Sequence, residues 1–179
     1  MPAKIIFISG ASGVGKTTLL QLLQKKYTNK PDWIFLNFDS IGVPTEKEMI
    51  KNYRSGENWQ KIKTKEWINK MLEMNDKNII VIEGQVNLEF IINEFVSHNF
   101  TNYQIVLVDC SDEVMAKRLI NDRKQPNLAN KNMKSWLAFL RKQAGKYEIP
   151  ILDTTYLTKN QMAQKFETIF KTANFSIDF

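Results

Sequence analysis

At 179 residues the chain is long enough for one sizeable core and short for two full domains. Its hydrophobic share of 43% and charged share of 25% are those of an ordinary globular protein, and no apolar run reaches the length of a membrane span. The net charge of +6 suits phosphate-bearing ligands and nucleic acid equally, so it excludes neither.

The opening residues MPAKIIFISG carry no separate signal-peptide core, because their apolar run reads as the first strand. Gly10-Ala11-Ser12-Gly13-Val14-Gly15-Lys16-Thr17 follows, and then an amphipathic run over about 16–27 with Leu19, Leu20, Leu22 and Leu23. The octet is G-x-x-x-x-G-K-[ST] between a strand and a helix, the setting in which it cradles phosphates. Its glycines let successive backbone N–H groups converge on phosphate oxygens, and the helix start adds unpaired N–H groups and a positive dipole end. Lys16 is expected to bridge the β- and γ-phosphates, Thr17 to ligate Mg²⁺ through its hydroxyl, and Thr18 to reach the α-phosphate.

Asn29 to Asp32 reads as a turn, and WIFLNF (33–38) as a second buried strand ending at Asp39-Ser40. Residues 44–74 hold two helical patterns broken near Ser55-Gly56. KNIIVIEG (77–84) is a third strand, apolar throughout as a parallel strand covered on both faces should be. Leu88 to Phe95 suggests a helix, YQIVLVDC (103–110) a fourth strand, and Ser111 the cap of a helix over 112–123. A polar loop (124–131), a helix (132–146), a short fifth strand (148–153) and a last helix (about 158–172) complete the chain. Cys110, the only cysteine, excludes an internal disulfide, points to a reducing, cytoplasmic compartment and is expected to pack at a strand end. His98, the only histidine, excludes a His/Cys metal site and reads as a solvated cation at a helix end.

Strands alternating with helices predict an α/β domain over 1–179 with a parallel sheet, whose ligands bind at the carboxyl ends of the strands. Asp39 stands there as a base toward an attacking hydroxyl, or as a turn residue and helix cap. Glu83 suits the Mg²⁺ shell or a substrate contact, with a plain turn as the alternative, and Gly84 would let backbone pass close to ligand. Arg118, Arg123 and Arg141 offer guanidinium forks to a transferring phosphate, or form a solvated basic helix face. The segment 40–74, with Tyr53, Arg54, Trp59 and Trp67, would cover the substrate end, although plain packing serves Trp67 better.

These residues resemble the P-loop small-molecule and nucleotide kinases. WIFLNFDSIG is similar to the second strand and Asp of chloramphenicol phosphotransferase-like enzymes, and RLINDRKQPNL to the lid of shikimate kinase-like enzymes. The resemblance implies a three-layer P-loop NTPase fold with a five-stranded sheet in the order 2-3-1-4-5 and a small lid at about 118–135. It implies ATP and Mg²⁺, a small-molecule hydroxyl substrate, Asp39 as base, Arg118 on the adenine side and Arg123 as the lid arginine. Two other likenesses fail: the segment expected after a guanylate kinase loop is missing, and EGQVN stands where adenylate kinases carry D-G-x-P-R. A nucleoside or nucleotide kinase, with Glu83, Gly84, Gln85 and Arg54 reading a base or phosphate, is the alternative. A nucleotide-binding regulator or nucleic-acid-end kinase comes third, because the positive residues are dispersed. No guanine-reading Asn/Thr-Lys-x-Asp stands in the chain, which favours ATP over GTP, and the oligomeric state is not encoded in any motif.

Overall fold

The computed structural model describes residues 3–74 and 79–172. Five strands, β1 (Lys4–Ser9), β2 (Trp33–Asn37), β3 (Ile79–Gly84), β4 (Tyr103–Asp109) and β5 (Ile151–Asp153), form one sheet in the order β2-β3-β1-β4-β5. Every neighbouring pair is parallel, with Ile8 opposite Glu83, Asn37 opposite Glu83 and Asp109 opposite Asp153. The expected strand residues Lys77 and Asn78 lie outside the described residues.

Side chains alternate across the pleat into two apolar layers. Ile6 and Ile8 of β1, Val81 of β3 and Val106 of β4 pack with Leu19 and Leu23 of α1 (Lys16–Lys26) and Phe166 of α7 (Lys159–Thr172). On the other face Ile5, Phe7, Ile80, Ile82 and Leu107 meet Ile68 of α3 (Gly56–Leu72), Ile91 of α4 (Leu88–Ser97) and Leu140 of α6 (Lys131–Lys146). Helix, sheet and helix thus make three layers, and the central β1 is buried from Ile5 onward.

The second strand departs from its sequence reading. It ends at Asn37 and, apart from Trp33, is only half-buried, because β2 is the sheet's edge and has a neighbour on one side alone. Phe38 to Ile41 coil into a 3-10 turn capped by Asn37, whose side chain accepts from the Asp39 N–H at 2.8 Å. The two helices expected over 44–74 are α2 (Glu46–Tyr53), opened by a Thr45/Glu48 capping box, and α3, capped by Ser55. Arg54 between them adopts φ 69°, which closes α2.

The helix expected over 112–123 changes pitch. Capped by Ser111, α5 (Asp112–Lys117) widens into a π turn over Arg118–Asp122, where the Arg123 N–H reaches back to Arg118 O at 3.0 Å. Arg118, the first residue of that turn, has its guanidinium tied to groups outside the helix, as described below. Cys110 is buried beyond β4, and burial pushes its thiol up to about 11, an inert packing residue. His98 ends α4 beside Glu94 at 3.2 Å.

Candidate active site

Glycine at position 15 adopts φ 109° immediately before α1, a backbone state that a Cβ would strain. That turn closes the loop 10–15 over the amino end of α1, whose first N–H groups face a recess of about 240 Å³. Gly13, Gly15, Lys16, Thr17 and Thr18 line it from the loop side, with Arg118 and Arg123 opposite. Gly10, Ala11 and Val14 do not line it. Ala11 and Val14 are buried in the core and serve through their carbonyls.

Lys16 is only 7% exposed, and among the described residues its hydrogen-bond acceptor is Ala11 O at 2.9 Å. Burial lowers its pKa from 10.5 to about 8, with Arg123 pushing the same way and Glu83 and Asp39 opposing. A buried ammonium with one backbone partner is a group set up for an anion.

Glu83 is buried at the end of β3, and its Oε1 accepts from Thr17 Oγ1 at 3.0 Å and from Asn37 Nδ2 at 2.8 Å. A hydroxyl and a carboxylate side by side are the hard oxygen donors that Mg²⁺ takes together with phosphate oxygens. No group of three or more His, Cys, Asp or Glu gathers among the described residues. Thr17 and Glu83 are the oxygen donors here that could hold the cation the motif implies. Asn37 escaped the sequence reading because the strand was carried one residue too far. A strand ending at Asn37 would have placed its amide beside the Glu83 carboxylate.

A second cleft of about 590 Å³ adjoins the first. Lys16, Thr17 and Arg123 belong to both, and Asp39, exposed on the 3-10 turn, stands in the second. Its far wall is Met49 of α2, Trp59 and Gln60 of α3, and Gln85. Gln60 donates to Gln85 O at 2.9 Å, and Gln85 Oε1 accepts from Ser12 Oγ at 3.0 Å, so the wall is tied to the loop.

Four further expected site residues make other contacts in this structure. Arg141 forks onto Asp109, Nε to Oδ2 at 2.9 Å and Nη2 to Oδ1 at 3.0 Å, and also reaches Cys110 O, so it fastens α6 to the end of β4. Arg54 is exposed outside the cleft's lining. Gly84 faces Phe38 and not the cleft, since a Cβ there would stand 2.5 Å from the Phe38 Cβ. Arg118 lines the smaller recess, yet Nη1 donates to Val14 O and Thr154 Oγ1 and Nη2 to Thr154 O, at 2.9–3.1 Å. Thr154 is fully buried and donates in turn to Val14 O at 2.8 Å. This clasp between the loop, β5 and the lid helix was invisible in sequence, because Thr154 lies 36 residues from Arg118 in no recognisable motif.

A family model described as an AAA domain matches residues 6–137. Shikimate kinase from Acinetobacter baumannii superposes with a TM-score of 0.62 at 16% identity, over 97% of this chain and 96% of that one. The tunicamycin resistance protein of Deinococcus radiodurans gives 0.63 at 17%, over 97% of each. Thymidylate kinase from Candida albicans gives 0.65 at 12%, over 96% of this chain and 92% of that one. No curated protein matches the sequence. At such identities the likeness is one of fold, and the fold is that of the P-loop kinases.

Proposed function

The chain belongs to the AAA domain family, and from that premise we propose that it is an ATP- and Mg²⁺-dependent phosphotransferase acting on a hydroxyl of a small molecule. One observation carries the reading. The recess at the amino end of α1 and the cleft holding Asp39 meet at Lys16, Thr17 and Arg123, which is where the terminal phosphoryl group of a bound triphosphate would lie between donor and acceptor.

The residues then divide the work. Asp39 accepts the proton of the acceptor hydroxyl as its oxygen bonds to the γ-phosphorus. The bond from that phosphorus to the bridging oxygen breaks, and ADP leaves with the electron pair. Lys16 and Arg123 neutralise charge spreading over the transferring oxygens, and this costs no reorganisation because both already flank the junction. Thr17 and Glu83 would hold Mg²⁺, which supplies charge neutralisation at the phosphates when bound. Arg118 acts at one remove, holding the lid helix to the loop. The whole of 1–179 works in this reading as one domain, with 40–74 covering the acceptor and 118–135 closing over the nucleotide. The single Cys110 and the absence, among the described residues, of a helix fit to cross a membrane suit a cytoplasmic enzyme.

The test is Asp39→Asn. Loss of a general base costs about 10²–10⁴ in turnover, so ADP release with the true acceptor should fall by at least about a hundredfold while calorimetry finds ADP–Mg²⁺ binding unchanged. Near-normal turnover in that variant refutes the role of Asp39. A wild-type protein that binds neither ADP nor ATP refutes the function itself.

A further inference from the structure

The chain carries 25 Lys and Arg against 19 Asp and Glu, yet the part of the cleft beyond the phosphate junction has no cation in its lining. Among the described residues Asp39 is its charged group there. Gly56 and Gln60 also line a further groove of about 570 Å³ between α3, α4 and α6, where, among the described residues, the one charged lining residue is Glu57. In the adjoining recess behind Val43 and Trp59 stands Lys63, which is already engaged by both oxygens of Glu66 at 2.8–2.9 Å. Arg54, the cation that sequence placed at a substrate phosphate, is not in the lining.

What replaces charge is amide and aromatic surface. Gln60, pinned between Gln85 O and the Asn87 N–H, forms the partition, and Gln143 Nε2 holds the Asn87 side chain at 2.8 Å. Every hydrogen bond of that partition joins neutral groups. On one side of it lie Met49, Trp59 and the half-exposed Val43; on the other Phe90 and the stacked pair Trp136 and Phe139, with ring centroids 5.4 Å apart. The indole N–H groups of Trp59 and Trp136 are buried without a hydrogen-bond partner among the described residues.

Resting on the phosphotransferase reading above, we infer that the acceptor is a ring-bearing alcohol without a phosphate or carboxylate group, its hydroxyl at Asp39 and its ring against Trp59 and Met49 in the wall of the same cleft. Lys16 and Arg123 line the cleft only at the junction, where this reading has them on the transferring phosphate, so an anionic acceptor would meet the Asp39 carboxylate with no further cation among the described lining residues. A neutral ring loses little on leaving water and gains contact with Trp and Met surfaces.

The experiment compares matched pairs on the full chain loaded with ADP and Mg²⁺: nucleosides against their monophosphates, and cyclic polyols and aryl alcohols against their carboxylates. Titration calorimetry reads binding, and ADP release from ATP reads turnover. The uncharged member of at least one pair should bind at least ten times more tightly than its anionic partner, and Met49→Lys in the wall of the Asp39 cleft should narrow that ratio severalfold. An anionic member that binds or reacts better overturns the inference, as does silence from every uncharged ring alcohol while ADP still binds. If ADP itself does not bind, the phosphotransferase reading has failed first, and the two failures stay distinct.

Discussion

Alanine in place of Gly84 separates a glycine needed for packing from one needed for ligand approach. The added Cβ would lie 2.5 Å from Phe38 Cβ, 3.0 Å from Phe38 Cγ and 3.2 Å from Val86 Cγ2, where ordinary contact begins near 3.4 Å. The first of these atoms is fixed to backbone and cannot swing aside. Phe38 is 1% exposed and wedged between the rings of Phe7 and Trp59, at 6.4 and 6.2 Å between centroids, and its carbonyl accepts from Trp67 Nε1 at 3.0 Å. The 3-10 turn must therefore shift by roughly 1 Å, at the cost of about 1–3 kcal/mol typical of an overpacked core.

For a chain of this size that is a fall in Tm of roughly 3–10 °C. Asp39 follows Phe38 directly and moves with it, and a misplacement of about 1 Å can cost up to about a hundredfold in turnover. The phosphate loop belongs to β1 and α1, so ADP affinity should stay within about twofold, a small change on this scale. Thermal denaturation, ADP calorimetry and ADP release measure the three quantities. An unchanged Tm and turnover would refute the packing argument. An unchanged Tm with collapsed ADP affinity would mean that Gly84 meets the ligand after all.

Lys16→Met should abolish nucleotide binding and yet stabilise the ligand-free protein by about 1–2 kcal/mol at pH 7, since the fall of the Lys16 pKa from 10.5 to about 8 corresponds to about 3 kcal/mol before the lost Ala11 and Glu83 interactions are set against it. The sign follows from proton uptake: between pH 8 and 10.5 the unfolded wild type binds more protons at this lysine than the folded one, so wild-type stability rises there and the variant's advantage vanishes. Tm at pH 7 and pH 10 checks it, and a variant less stable than wild type at pH 7 contradicts it. By the same protonation argument, ADP affinity of the wild type should fall as pH rises past about 8, which calorimetry in a pH series would read. Arg141→Ala should lower stability by about 1–2 kcal/mol, a figure discounted for its partial exposure, and leave ADP affinity alone; a large loss of turnover without a Tm change would return Arg141 to the phosphate. Arg118→Lys should weaken ADP binding severalfold and fail to rescue Arg118→Ala, because an ammonium cannot span Val14 O and both oxygens of Thr154.

The sheet was legible because its information is local. Ile-rich runs of strand length, each followed by a capped amphipathic segment, leave few arrangements for a parallel sheet, and KIIFIS and IIVIEG declared themselves as inner strands by being apolar on both faces. The loop 10–17 was legible for a like reason, its residue types and their spacing lying in one contiguous octet between a strand and a helix. WIFLN reads like an inner strand and lies at the edge, since its apolar residues are only half covered by the helices on either side. Edge or centre is settled by neighbours, and periodicity does not name neighbours.

The arginines show where sequence reasoning stops. A guanidinium on a helix near a phosphate loop has the same signature whether it ends on phosphate, on a carboxylate or on carbonyl oxygens, because all three satisfy a planar fork. What separates Arg123 from Arg118 and Arg141 is the set of acceptors already within reach. Arg141 found Asp109, a carboxylate with 14% of its side chain exposed, and Arg118 found Thr154 and Val14, all contributed by distant parts of the chain. Arg123, exposed at the end of the π turn, lies where both recesses meet. Arg118 opens that turn and Arg123 follows its last residue, so one helix end carries an arginine held by Val14 and Thr154 and another that lines both recesses, and the pair reads as interchangeable only while the chain is a string.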